Sequence, residues 1–265
     1  MTDFDIAKPG PIMAGKRGLI MGVANNRSIA WGIAKAAAAQ GAEIALTYQG
    51  DALKKRVEPL AAELGSGIVL PCDVTDDAQI DAVARELNAR WGTIEMLVHG
   101  VAFANREDLE GSFLATSREG FRLALEVSAF SLINVTNRVM PLLEKHGANI
   151  ISLSYLAAER AVPAYNVMGS AKAVLEQATR QMAYELGTKN IRVNAISAGP
   201  VNTLAARGIR GFGALYKEHG ERAALRRNIT QEEVGKAALF LLTDMSSGMT
   251  GEVMYVDAGY RIMGV

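Results

Sequence analysis

The sequence predicts an α/β fold in which one doubly wound parallel sheet carries helices on both faces. Three observations carry that expectation. Short apolar, β-branched runs alternate with helical segments of about ten to fifteen residues, the pattern of βαβ units joined by right-handed crossovers. A glycine-rich turn links the first run to its helix. No repeat, low-complexity tract or linker divides the 265 residues, so a single domain is expected over 1–265.

Taken in order, RGLIMGV (17–23) reads as a short buried strand, followed by a turn and a helix from about Ser28 that Gly41 closes. AEIALTY is a second strand ending at Tyr48, and SGIVLPC a third, running into Asp73 and Val74. DDAQIDAVARELNARWG is amphipathic, and IEMLVHG is the fourth strand, opening into Gly100-Val101-Ala102-Phe103-Ala104. Small residues at a strand's carboxyl end leave room for a flat ligand. REGFRLALEVSAFSLINVTNRVMPLLEK reads as one long helix. The run Asn149–Leu153 is a fifth strand that delivers Ser154 and Tyr155, after which Pro163 is expected to start a helix bearing Tyr165 and Lys172. IRVNAISAG, a segment of about thirty residues, the helix QEEVGKAALFLLT and the closing strand GEVMYVDAGY complete the chain.

Composition narrows the function. Apolar residues make up 49% and charged residues 21%, and 28 basic side chains balance 28 acidic ones, so nothing points to nucleic acid or an anionic membrane. The single cysteine, Cys72, reads as a small core residue in a reducing compartment. Three scattered histidines give no metal-ligand spacing, and His99 reads as a satisfied residue near the core. The N-terminus lacks the apolar segment of a secretory signal, and no apolar run reaches the ~18 residues of a membrane span. A soluble cytoplasmic protein is expected. The two longest helical segments are apolar on more than one face, which calls for packing between subunits.

The candidate chemistry lies at the strand ends, where open parallel sheets bind ligands. The turn from Gly22 to Gly32 opens onto a helix N-terminus, a place for a pyrophosphate. There Gly22 permits close backbone approach, Ser28 caps the helix and offers a hydroxyl, and Gly32 lets the helix pack on the strand. Where an acidic residue for a ribose 2′-hydroxyl or an arginine for a 2′-phosphate is usual, this chain has Tyr48-Gln49, so neither nicotinamide is selected. Asp73 and Val74 suit either an adenine amine or a helix N-cap. Tyr165 and Lys172 are seven residues apart, about two helical turns, and so share a face; the ammonium is expected to make the phenol a better acid. The long segment, about 200–230, reads as a lid, with Thr203 as a polar contact and Leu204, Ile209 and Phe212 as its apolar inner face.

These pieces together resemble a known family. Gly22–Gly32, Thr47–Gln49, Cys72–Val74, Ser154–Ala173 and Arg192–Ala205 are similar to the motifs of the short-chain dehydrogenase/reductases, a Rossmann-type fold. Within them the chain resembles the bacterial NADH-dependent enoyl-acyl-carrier-protein reductases. The seven-residue Tyr–Lys spacing is characteristic of that branch; four is commoner elsewhere. The resemblance implies reduction of a trans-2-enoyl thioester in fatty-acid elongation, with NADH favoured over NADPH, an acidic acyl carrier protein as partner and a homotetramer. By the same resemblance Tyr165 binds the thioester carbonyl, Lys172 binds the nicotinamide ribose, and Tyr155 supports or protonates. Gly22, Ser28, Ile29, Gln49, Asp73, Val74, Val101, Val201, Asn202, Thr203, Leu204 and Ala205 line the cofactor. Ala104, Met168, Ile209 and Phe212 join the tyrosines against substrate. Arg207, Arg210, Lys217, Arg226 and Arg227 are candidates to receive the carrier, against the plainer reading of a solvated face. Gly100-Val101-Ala102 departs from the Ser-Ile-Gly of many members and adds a methyl near the nicotinamide pocket. A carbonyl reductase and a non-catalytic dinucleotide sensor are the competing readings.

Overall fold

The computed structural model describes residues 11–208 and 211–264. Seven strands, β1 (Arg17–Met21), β2 (Glu43–Tyr48), β3 (Ile68–Pro71), β4 (Met96–His99), β5 (Ala148–Ser154), β6 (Ile191–Ala198) and β7 (Val253–Val256), form one sheet. Its order is β3-β2-β1-β4-β5-β6-β7, and every neighbouring pair is parallel. The order reverses between β1 and β4, where Met21 lies opposite His99. Such sheets bind ligands in the crevice beyond the carboxyl ends of the strands at this reversal point.

The helices are α1 (Ile29–Ala39), α2 (Gly50–Glu63), α3 (Asp77–Arg90), α4 (Arg106–Leu109), α5 (Arg118–Leu125), α6 (Ser131–Leu143), α7 (Asn166–Leu186), α8 (Leu204–Arg207), α9 (Phe212–Arg222) and α10 (Gln231–Leu242). They cover both sheet faces, so the central strands are apolar on both sides. Alternation along β4 shows this: Leu97 enters a core with Leu87, Leu132, Val139 and Leu175, while Met96 and Val98 enter one with Ile33, Ile196 and Leu241. Cys72 belongs to the first core, as a small apolar residue would.

Three local expectations are corrected. The long helix after residue 117 is interrupted by a π-helical turn, Glu126–Phe130, between α5 and α6. Pro163 lies in a turn and α7 begins at Asn166. Gly32 does not serve helix-on-strand packing: a Cβ there would lie 2.5 Å from Gln231 O, and one on Gly235 would lie 2.6 Å from Gly32 O. The two glycines let α1 and α10 meet backbone to backbone. Among the described residues, no helix is long and apolar enough to cross a membrane, and no group of three His, Cys, Asp or Glu is placed to hold a metal.

Candidate active site

β5 ends at Ser154 and projects Tyr155 from its carboxyl end. Tyr165 occupies the N-cap position of α7, immediately before the helix. It is flanked by Ala164 and Asn166, both with positive φ (59° and 33°), a conformation non-glycine residues adopt only under constraint. This bend turns the Tyr165 ring onto Tyr155, with centroids 4.9 Å apart and planes tilted by 58°. Both phenols hold their protons more firmly than usual. Burial, then the charge of Tyr260, pushes Tyr155 up to about 12; burial, then Tyr155, pushes Tyr165 up as well. Lys172 is not among the causes, so the expected acidification of the phenol by the ammonium is not found. Tyr165 is a neutral hydrogen-bond donor.

Lys172 faces the sheet from α7, and its Nζ donates to Leu153 O at 2.6 Å. Burial draws its pKa down to about 8, against the opposing charge of Glu176. An ammonium has three N–H donors, and Leu153 occupies one of them. On the neighbouring strand His99 is buried. The Ser131 hydroxyl donates to Val127 O at 2.7 Å and so accepts from His99 Nε2, also at 2.7 Å. His99 Nδ1 has no hydrogen-bond partner among the described residues, so only half of the expectation of a satisfied histidine holds. Burial, then the charge of Lys172, draws His99 down to about 3; the ring is neutral.

The dinucleotide candidates gather at the crevice. Gly22 has φ +95°, and a Cβ on it would lie 2.2 Å from Gly100 O, so the β1 and β4 loops pass in backbone contact. Ser28 sits at the N-cap of α1 without capping it. Its Oγ instead accepts from Ala24 N (3.0 Å) and Asn25 N (3.2 Å), which leaves its proton to donate. Ile29 begins α1. Gln49 Nε2 donates to Asp73 Oδ2 at 2.8 Å, and Asp73 Oδ1 accepts from Thr75 N and Oγ1. Despite burial, the bonds from Thr75 and Gln49 hold the Asp73 carboxyl below its ordinary range. The N-cap of α3 is Asp76, accepting from Ala78 N, so Asp73 is not the cap and Val74 is buried behind it. Val101 packs on one core and Val201 on the other. Asn25, Asn26, Arg27, Arg56 and Leu204 line a cavity of about 290 Å³. Backbone approach at Gly22, a free hydroxyl proton at Ser28 and two guanidinium groups fit a dinucleotide with its phosphates. Arg27 was not singled out from the sequence; Arg56 lies two turns beyond Gln49 on the same helix face.

Tyr165 and Ala104 pack against the small cluster of Ala124, Val167, Met168 and Ala171, so three of the substrate candidates meet. Ser128, buried in the π turn, pins their rim: its Oγ accepts from Phe103 N (3.0 Å) and donates to Phe103 O (3.1 Å), with Met168 Sδ 3.7 Å away. Phe212 stands outside this cluster, against Tyr216 of its own helix at 5.6 Å. Ile209 and Arg210 lie outside the described residues, and Ala205 and Arg207 are placed only as part of α8. Thr203 Oγ1 accepts from Ala206 N, Asn202 and Leu204 are exposed, and the described part of the segment carries two helices, α8 and α9. Of the basic candidates, Arg227 holds Glu233 through both terminal nitrogens (2.9 and 2.7 Å), Lys217 lies 3.7 Å from Glu221, and Arg226 donates to Glu221 O. The plainer reading of these three is the one the contacts favour.

Comparison with known proteins agrees with this geometry. The family model described as enoyl-(acyl carrier protein) reductase matches residues 22–261. An enoyl-[acyl-carrier-protein] reductase [NADH] of Rhizobium meliloti is 54% identical over 98% of this chain and 95% of its own length. One from a Nostoc species is 49% identical over 96% and 99%. The crystal structure of the Aquifex aeolicus NADH enoyl reductase superposes with a TM-score of 0.94 at 46% identity, covering 96% of this chain and 99% of that one. That of the Anaplasma phagocytophilum enoyl reductase in complex with NAD gives 0.93 at 46%, covering 97% and 98%. With paired tyrosines, a buried lysine and a glycine-lined crevice on the same sheet, the chain belongs to the enoyl-(acyl carrier protein) reductase family.

Proposed function

We propose that the protein reduces the double bond of a trans-2-enoyl thioester carried on acyl carrier protein, using NADH, in bacterial fatty-acid elongation. The observation that carries the roles below is the ring contact of Tyr155 and Tyr165 beside a buried Lys172. When bound, the reduced nicotinamide supplies a hydride to the β-carbon. Tyr165, kept neutral by burial, donates its O–H to the thioester carbonyl, and that bond strengthens as negative charge gathers on the enolate oxygen. The α-carbon then takes a proton; Tyr155, facing Tyr165, supports that step or supplies it. Lys172 directs its remaining N–H donors to the nicotinamide ribose. Gly22, Ser28, Ile29, Gln49, Asp73, Val74, Val101 and 201–205 hold the dinucleotide. Ala104 and Met168 give the acyl chain an apolar wall, and residues 200–230, with Ile209 and Phe212, close over it as a lid.

The whole chain acts as one cytoplasmic catalytic unit within a homotetramer. Exposed Phe130 and Ile133 on the α5–α6 run and Val174 and Tyr184 on α7 support the assembly, since a second copy removes that apolar area from water. A steady-state assay crossing NADH and NADPH with a ladder of enoyl chain lengths tests the function. NADH oxidation on adding an enoyl thioester is expected. NADH binding without turnover of any enoyl thioester overturns the proposal, and turnover of a carbonyl substrate in its place indicates a carbonyl reductase.

A further inference from the structure

We propose that Glu176 is a positioning residue for the reduction: its carboxylate, one helical turn below Lys172, is the counter-charge that keeps the lysine an ammonium, and its bond to Ser154 fixes the strand end that carries Tyr155. This rests on the reading of Lys172 as the ribose ligand.

Lys172 and Glu176 are four residues apart on α7 and therefore share a face. That face is turned to the sheet, and the two residues are only 6% and 5% exposed. Buried charges of this kind are rare unless something compensates them. The Ser154 hydroxyl donates to Glu176 Oε1 at 2.5 Å, while the adjacent Leu153 carbonyl accepts a hydrogen bond from Lys172 Nζ. Consecutive residues of β5 thus hold consecutive turns of α7, and Tyr155 is the next residue along. No direct ion pair joins the two side chains, so the carboxylate acts on Lys172 through its field.

Among the described residues, Glu176 is the one carboxylate that acts on Lys172. His99, on β4, is neutral, held so by burial and by the charge of Lys172. Glu159, in the loop after β5, is occupied by the Tyr255 hydroxyl of β7 and by Arg261 Nε at 3.5 Å, and Arg261 lies 3.8 Å over the Tyr255 ring. Glu176 itself is pushed up by burial, pulled down by the Ser154 bond, pushed up by Glu159, and pulled down by Arg180 and Lys172. Burial draws Lys172 close to neutral pH while Glu176 opposes it. Without that opposition the lysine sheds its proton within the working range.

The test is the NADH dissociation constant, followed by fluorescence titration from about pH 6 to about pH 10, in four variants beside the wild type. Glu176→Gln keeps an acceptor for Ser154 and removes the charge. Binding at the acid end is expected to match the wild type, and the alkaline weakening to begin about one pH unit lower, a roughly fivefold loss at pH 8 that approaches tenfold at the alkaline end. Glu176→Asp restores the limb towards its wild-type position. Ser154→Ala keeps the carboxylate and leaves the limb where it was, while turnover falls because Tyr155 is less firmly held. A Glu176→Gln profile parallel to the wild type at every pH, or a limb that moves in Ser154→Ala, overturns the proposal. The fourth variant, Lys172→Met, separates the two levels. If it binds NADH as the wild type does, the ribose reading fails; if it loses binding while Glu176→Gln leaves the limb unmoved, only the counter-charge fails.

Discussion

Lys172 sets a pH dependence of stability that can be isolated in the protein without its cofactor. Its pKa falls from 10.5 to about 8 on folding, chiefly through burial. Between those values the unfolded chain binds more protons than the folded one, so stability rises with pH; it is lost as pH falls through the folded value. The whole shift corresponds to about 3 kcal/mol, of which about 2 kcal/mol is gained between pH 7 and pH 9.5. Cys72 and Tyr155 work in the opposite direction. Their folded values are raised, each to about 12, so the unfolded chain ionises first and stability falls as pH rises. Both groups persist in Lys172→Met, and comparing the two proteins cancels them. Urea unfolding of wild type and Lys172→Met at pH 7 and 9.5 should show a wild-type gain about 2 kcal/mol larger than the variant's. Parallel behaviour of the two proteins refutes a lysine held charged in a buried place.

Two further substitutions separate chemistry from scaffold. Tyr165→Phe removes only the hydroxyl; turnover of enoyl thioester should fall by about a hundredfold or more while the NADH dissociation constant holds, and an equal loss in both would mean the residue serves cofactor binding instead. Ser128→Ala breaks both bonds to the Phe103 backbone inside a buried site and should lower stability in urea by about 2 kcal/mol. It should also raise KM for the enoyl substrate more than it lowers kcat, because Phe103 borders the cluster that holds Met168.

The sheet was legible because its strands are short β-branched runs bounded by glycine or polar residues; six lie within two residues of their expected ends, and β7 stops at Val256, four short of the expected Tyr260. Gly22 was legible because only glycine suits a positive φ pressed against another backbone. The bend around Tyr165 was not: proline at 163 is the ordinary signal for a helix start, and nothing in the letters marks Ala164 and Asn166 for positive φ. Ser28 carried a true N-cap signal, but its hydroxyl turned back into its own loop, a competition that sequence spacing does not decide. Glu176 was visible as the fourth residue after Lys172. The same pairing on a solvated face is ordinary, and only burial gives it meaning.

The wide turn at Glu126–Phe130 has a rotational consequence. Gly120 and Leu132 are both buried, yet in an unbroken α-helix twelve steps of about 100° would leave them a third of a revolution out of phase. A π bulge absorbs one residue, so about eleven steps of rotation remain and the two come back within about 20° of alignment. The bulge is therefore a gear between α5, which buries Gly120 against Asp108 and Ala124 against α7, and α6, which packs on the sheet. Deleting a single residue there would tighten the spiral into ordinary α geometry while keeping both ends engaged, and would disturb the seating of Ser128 beneath Phe103.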